Sequence, residues 1–92
     1  EKSGERSALV ISSTNVNAFT MRSIICPITS NTDVWPTKVV LTQGMKTKGA
    51  VLADQMGSVD RSERGFRFIE KAPADLLANV REVIGALLEI KA

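Results

Sequence analysis

The stretch Arg22-Ser23-Ile24-Ile25-Cys26-Pro27-Ile28-Thr29 is apolar and β-branched through its middle and polar at both ends, which predicts a strand. Pro27 removes one backbone donor from it, so an edge position or a bulge is expected there. Upstream, Ala8-Leu9-Val10-Ile11 is a short apolar run bounded by Ser12-Ser13 and predicts a first buried strand. Residues 13–20, between the two, are rich in Ser, Thr and Asn and are expected to form a loop. Residues 1–7 are polar, hold Gly4 and read as a loop or an incoming linker. Downstream, residues 30–36 form a polar connection ending in an exposed-looking Trp35-Pro36 pair, and residues 37–42 (TKVVLT) are strand-like. Residues 43–49 carry Gly44 and Gly49 around two lysines, a hairpin-type loop. Residues 50–59 resume the strand pattern, with Gly57 expected as a bulge. A charged turn at residues 60–64, expected as one helical turn, leads to residues 65–70. There Phe66, Phe68 and Glu70 alternate with Arg67 and Ile69, as in a short strand with one wetter face.

The last segment changes period. Pro73 suits a first helical position, and Asp75 falls in the first turn, where the helix dipole favours it. Leu76, Leu77, Val80, Val83, Ile84, Leu87, Leu88 and Ile90 then recur at helical spacing. Five short strands followed by one closing helix describe a small β-barrel or curled sheet, mainly β with α.

The chain has 92 residues, room for one small domain, and contains no His, no Tyr and a single Cys. Without His, the Ser-His-Asp and Cys-His arrangements and any His-ligated metal site are excluded within one chain. An enzyme of this composition moves protons with Arg, Lys, Asp, Glu, a hydroxyl or water. The lone Cys26 forms no intrachain disulfide, which fits a reducing compartment. With no His to activate it, it is expected as a small buried hydrophobe. Twelve Lys and Arg against ten Asp and Glu leave a net charge of +2, which permits nucleic-acid binding without requiring it. No apolar run approaches the roughly 20 residues of a membrane span, and no charged-then-apolar leader opens the sequence. The expectation is a cytoplasmic protein with no membrane partner. So thin a core makes dimerisation an expected remedy. No P-loop, dinucleotide turn or metal-ligand spacing occurs, so neither cofactor nor metal is expected.

Few side chains remain to carry chemistry. Arg6 stands at the entrance to the first strand, where a guanidinium can hold phosphate through a fork of donors; by residue type alone a solvated surface Arg is the favoured reading. Thr29-Ser30-Asn31-Thr32 ends the second strand in a cluster that suits a phosphate or a base edge, and equally an ordinary turn. Asp54-Gln55 interrupts an apolar run, facing either solvent or a groove. Lys38, Lys46 and Lys48 read as a basic rim or as a solvated face. Trp35 reads as a base-stacking residue or as a packing or interface anchor.

Taken in order, these pieces resemble a family. Gly4-Glu5-Arg6-Ser7-Ala8-Leu9-Val10-Ile11-Ser12 is similar to the G-x-R-P-A-L-V-x-S stretch of the MazF/PemK toxins of bacterial toxin–antitoxin modules, with Ser7 where the family has Pro. Cys26-Pro27-Ile28-Thr29-Ser30 resembles their strand ending in P-[ILV]-T, and Val34 to Leu41 the strand that follows it. Gly49-Ala50-Val51-Leu52-Ala53-Asp54-Gln55 matches G-x-[AV]-[LC]-[AL]-[DE]-Q. The family's opening strand, of the G-[DE]-[IV] type, has no counterpart here. The resemblance implies a single domain over residues 1–92, N-terminally short. Its fold would be an SH3-like small β-barrel of the MazF/CcdB type, lacking its first strand and closed by a C-terminal helix.

The implied activity is a sequence-specific, metal-independent endoribonuclease that cleaves single-stranded RNA by 2′-hydroxyl attack. The implied partners are RNA, a cognate antitoxin and a second copy of the chain. By the same carry-over, Arg6 stabilises the charge of the phosphorane and serves the leaving 5′ oxygen as proton donor, and Thr29 positions the phosphate or the 2′-hydroxyl. Gln55 and Asp54 read bases, with Ser30 and Lys38 also on the RNA. The alternative is a non-nucleolytic binding module or a gyrase-poisoning toxin of the same fold.

Overall fold

The computed structural model describes residues 6–63 and 65–90. Five antiparallel strands are arranged around one of them: β1 (Ala8–Val10), β2 (Arg22–Thr29), β3 (Lys38–Val40), β4 (Ala50–Leu52) and β5 (Gly57–Asp60). One edge of β2 carries β1, with Ala8 opposite Pro27 and Val10 opposite Ile25. Its other edge is divided. Residues 22–25 pair with β5, and Ile28 and Thr29 pair with β4, which pairs in turn with β3.

That division corrects the expectation for Pro27, because β2 is the most heavily paired strand of the sheet and not an edge. The Ile28 amide donates to the Ser7 carbonyl at 3.1 Å and Ile11 donates to the Ile24 carbonyl at 2.9 Å, so even-numbered residues of β2 direct their backbone groups toward β1. Odd-numbered residues therefore face the divided edge, where Pro27 falls between the last β5 partner and the first β4 partner. A missing N–H disturbs no ladder there.

Helix α2 (Ala74–Leu87) packs across the curled sheet. It buries Leu76 and Val80 against Leu9, Cys26, Leu41, Met45, Val51 and Ala53, with Leu77, Val83 and Ile84 flanking them. Cys26 is fully buried, as expected, and burial first, then the charge of Asp54, pushes its thiol upward. Helical geometry ends at Leu87, short of the spacing that runs to Ile90, and Glu89 takes a left-handed backbone with φ 59°. No described helix is long and apolar enough to cross a membrane.

Further expectations are corrected. Residues 14–19, expected as loop, form a short helix α1 (Thr14–Phe19), N-capped by the Ser13 hydroxyl, which accepts from the Val16 amide at 3.2 Å. One turn and a half is too short to show a periodic signal and draws its stability from tertiary contacts. Asn17 Oδ1 accepts from the Ser12 and Ser23 hydroxyls at 2.6 and 3.0 Å. The Arg61 guanidinium donates to the carbonyls of Asn17 and Thr20 at 2.6 and 2.7 Å and to the Ser23 hydroxyl at 3.2 Å. Residues 50–59 are two strands separated by a 3-10 turn at Ala53–Gln55, and Gly57 begins β5 instead of forming a bulge.

The segment expected as a strand at residues 65–70 is irregular, because no neighbouring strand offers it a ladder; Phe68 is 80% exposed. Residues 61–63 form a turn, not a helical turn, with the Asp60 carboxylate accepting from the Ser62 amide at 2.9 Å. The expectations for residues 1–5 and for Arg64 lie outside the described residues.

Glu70 has a different use. Its two carboxylate oxygens accept the amides of Lys46 and Thr47 at 3.0 and 2.8 Å, clamping the β3–β4 hairpin.

Two outcomes follow from this packing. Leu76→Ala removes a core side chain that is 2% exposed and lowers the unfolding free energy by about 2–5 kcal/mol in chemical denaturation. The exposed Asn79→Ala stays within about 0.5 kcal/mol. The Glu70 carboxyl is held below its ordinary range by the Lys46 amide first and the Thr47 amide second. A carboxyl lowered by folding stabilises the fold above its unfolded value, and that contribution is lost as pH falls through the folded one. Hydrogen-exchange protection of Lys46 and Thr47 therefore drops once pH passes below the ordinary Glu range. In Glu70→Gln it is already reduced at neutral pH.

Candidate functional site

The β1–β2 register sets the geometry of the site. Carried two residues past Ala8–Pro27, through the Ser7–Ile28 hydrogen bond, it runs Arg6 across from Thr29. Directly opposed residues of an antiparallel pair project to the same face, so the chain brings a guanidinium and a hydroxyl to one side of the sheet. Arg6 is exposed and Thr29 half-buried.

Thr29 is held from two directions. On the β4 side it pairs with Ala50, and the preceding Gly49 lies so close that a Cβ there would collide with the Thr29 carbonyl oxygen. Gly49 also has φ 127°, a conformation that side-chain-bearing residues rarely adopt. On the other side the Thr29 hydroxyl oxygen accepts the Asn31 amide at 3.2 Å. Asn31 continues the chain of contacts: its side-chain oxygen accepts the Asp33 amide at 2.8 Å, and its carbonyl accepts the Lys38 ammonium at 3.0 Å.

Lys38 opens a shallow groove of about 270 Å³ beside this loop, lined also by Asp33, Val34, Trp35, Leu52, Asp54 and Gln55. Lys38, Asp54 and Gln55, singled out separately in the sequence, therefore meet in one place, with Trp35 on its wall. Ser30 is exposed between Thr29 and Asn31, outside the groove lining. Arg6 and Thr29 are also outside that lining, and Thr29 connects to it through Asn31. Of the other rim candidates, Lys48 lines a separate groove over the β3–β4 hairpin, and the Lys46 amide is taken by Glu70. Among the described residues, no three His, Cys, Asp or Glu side chains converge where they could hold a metal ion.

Two residues that position the site, Gly49 and Asn31, lie in stretches that the sequence singles out, but their own roles are not visible there. Gly49 is one glycine of a hairpin like any other until β4 is paired to β2. Asn31 is one polar residue in a polar run until its amide and carbonyl find Thr29 and Lys38. Repeated polar residues of a connection conceal which of them turns the backbone.

The chain is similar to known proteins over almost its whole length. A profile of the PemK-like, MazF-like toxins of type II toxin–antitoxin systems matches residues 1–88. The Escherichia coli protein named Endoribonuclease PemK is 28% identical, over 98% of this chain and 68% of its own length. A crystal structure of MazE–MazF from Deinococcus radiodurans superposes with a TM-score of 0.88 at 38% identity, covering 96% of this chain and 89% of that one. A mycobacterial endoribonuclease crystallised with its cognate antitoxin shares the fold at a TM-score of 0.84 and 18% identity, over 98% of this chain and 86% of that one. The mainly antiparallel sheet with its C-terminal helix is the MazF fold. By profile, identity and architecture together, the chain belongs to the PemK-like, MazF-like toxin family of type II toxin–antitoxin systems.

Proposed function

We propose that this toxin is an endoribonuclease that cuts single-stranded RNA at short sequences, uses the substrate's 2′-hydroxyl as nucleophile and works without a metal ion. An RNA-cleaving enzyme is what its family and its relative named Endoribonuclease PemK support. The observation that carries the finer reading is the register that runs Arg6 across from Thr29, beside a groove lined by Lys38, Asp54 and Gln55.

In the proposed reaction the 2′ oxygen forms a bond to the adjacent phosphorus as its proton passes to water. The bond from phosphorus to the 5′ oxygen then breaks, its electron pair leaves on that oxygen, and the oxygen takes up a proton. The products are a 2′,3′-cyclic phosphate and a 5′-hydroxyl, with no water consumed. The fork of donors on the Arg6 guanidinium matches two non-bridging oxygens of the phosphorane. Arg6 is also the proposed proton donor to the departing 5′ oxygen, and it regains a proton from the water that took the one from the 2′-hydroxyl. Thr29 is set up as a donor because its oxygen already accepts the Asn31 amide, which leaves the O–H to orient the phosphate or the 2′-hydroxyl. Such a reaction needs no His, since the substrate brings its own nucleophile. Asp54 and Gln55 read base edges from the groove, with Lys38 and Ser30 on the strand.

The remaining parts of the reading come from relatives. Structures of relatives with MazE or with a cognate antitoxin support an antitoxin for this chain, whose acidic, initially disordered segment would lie in the RNA groove. A homodimer acting in the cytoplasm, with the chain as one toxin domain, completes the proposal.

Incubation with a long RNA in EDTA, followed by mapping of cut ends, tests it. Wild-type protein cuts at a short recurring sequence and leaves cyclic phosphate ends. A strict requirement for added metal overturns the mechanism. Arg6→Ala lowers kcat by about 10²–10³-fold or more, the scale of losing one preorganised donor at developing charge. Thr29→Ala falls in the same direction, and both variants keep the wild-type circular dichroism spectrum. Cleavage by Arg6→Ala at the wild-type rate removes Arg6 from the mechanism.

A further inference from the structure

We propose that Trp35 is the platform on which a base flanking the cut phosphate stacks; the inference rests on the endoribonuclease reading and adds to it the residue that supplies sequence-independent affinity. Trp35 is the only Trp of the chain and is 61% exposed. A packing anchor would lie in the core, and Trp35 is absent from the core cluster of the described residues. Its indole instead walls the groove that holds Lys38, Asp54 and Gln55, next to Val34 and Leu52. An apolar ring left in water beside polar side chains with base-reading chemistry is the composition of a single-strand site, in which a π face covers the base and neighbouring groups reach its edge.

The platform is also held in place. The Trp35 carbonyl accepts the Lys38 amide at 3.0 Å, and Pro36 confines the preceding backbone to extended conformations. Two residues earlier, the Asp33 amide is fixed on Asn31, whose carbonyl receives the Lys38 ammonium. The Asn31 amide in turn donates to Thr29 Oγ1 at 3.2 Å, so the loop that presents the indole begins at the residue proposed to hold the phosphate. The backbone that carries the indole is therefore already ordered, so little loop freedom is lost when a base arrives. Every base has a π face, so Trp35 contributes affinity, and the choice of sequence falls to Asp54 and Gln55.

A lone Trp makes the test direct. Intrinsic fluorescence is titrated with single-stranded RNA carrying the mapped cut site and a 2′-deoxy nucleotide at the cut position, so that binding is read without cleavage. The expected result is saturable quenching. Trp35→Ala raises KM by about 5- to 100-fold while kcat at saturation and the pattern of cuts stay as in wild type. Trp35→Phe, which keeps a ring, recovers most of the affinity. Emission unmoved by RNA that fluorescence anisotropy shows to be bound overturns the inference. So does Trp35→Ala with a wild-type KM, or emission that answers to an acidic antitoxin peptide and not to RNA. Failure of the nuclease reading shows separately, as an all-ribose RNA left intact by wild-type protein.

Discussion

Strand β2 holds this molecule together by serving two ladders at once. A strand has two hydrogen-bonding edges, and here one of them is shared end to end between β5 and β4. The sheet must fold over where the partner changes, because β4 and β3 continue from the last two residues of β2 while β5 stays with the first four. Pro27 sits at the change, where its lack of an N–H is harmless. The inward faces of β1, β2 and β4 supply Leu9, Cys26 and Val51, and α2 closes over them. The candidate site is a by-product of the same arrangement: Thr29 is the last residue of β2, the only position from which it can meet Arg6 across one edge and Ala50 across the other.

Two kinds of order surround that point. The core is apolar and tolerates no change of volume without cost, whereas the loops around the site are fixed by polar atoms acting on backbone groups. Glu70 holds the β3–β4 hairpin by two amides, and Arg61 holds α1 by two carbonyls. Asn31 joins Thr29 to Lys38 through its amide and carbonyl. The candidate site is thus presented by short loops whose backbone is already fixed, as the proposed binding of a flexible strand requires. That limits the ordering cost when RNA binds.

Much of this was legible in the residues. The strands at residues 8–11, 22–29 and 37–42, the hairpin and the long helix all announce themselves by apolar runs, β-branching or 3.6-residue spacing. Arg6, Thr29, Asp54, Gln55 and Lys38 are visible as candidates, but their grouping is not: register sets Arg6 across from Thr29, and Lys38, Asp54 and Gln55 share a groove that these two do not line. The failures share a cause. α1 is built from Ser, Thr and Asn and is stabilised by Arg61, which lies more than forty positions away in the chain. Residues 65–70 alternate as a strand does, but alternation describes only a face and cannot supply a neighbour to pair with. Gly49 looked like a turn residue, and its importance lies in the backbone that it lets approach Thr29.

The single thiol gives the molecule a property of another kind. Cys26 has no exposed surface, and its raised thiol keeps little thiolate at neutral pH. A reagent that modifies sulfur can reach it only when the core between β2 and α2 comes apart. The rate of that modification therefore counts openings of this core, one residue recording how often α2 and the sheet part without any label having been introduced.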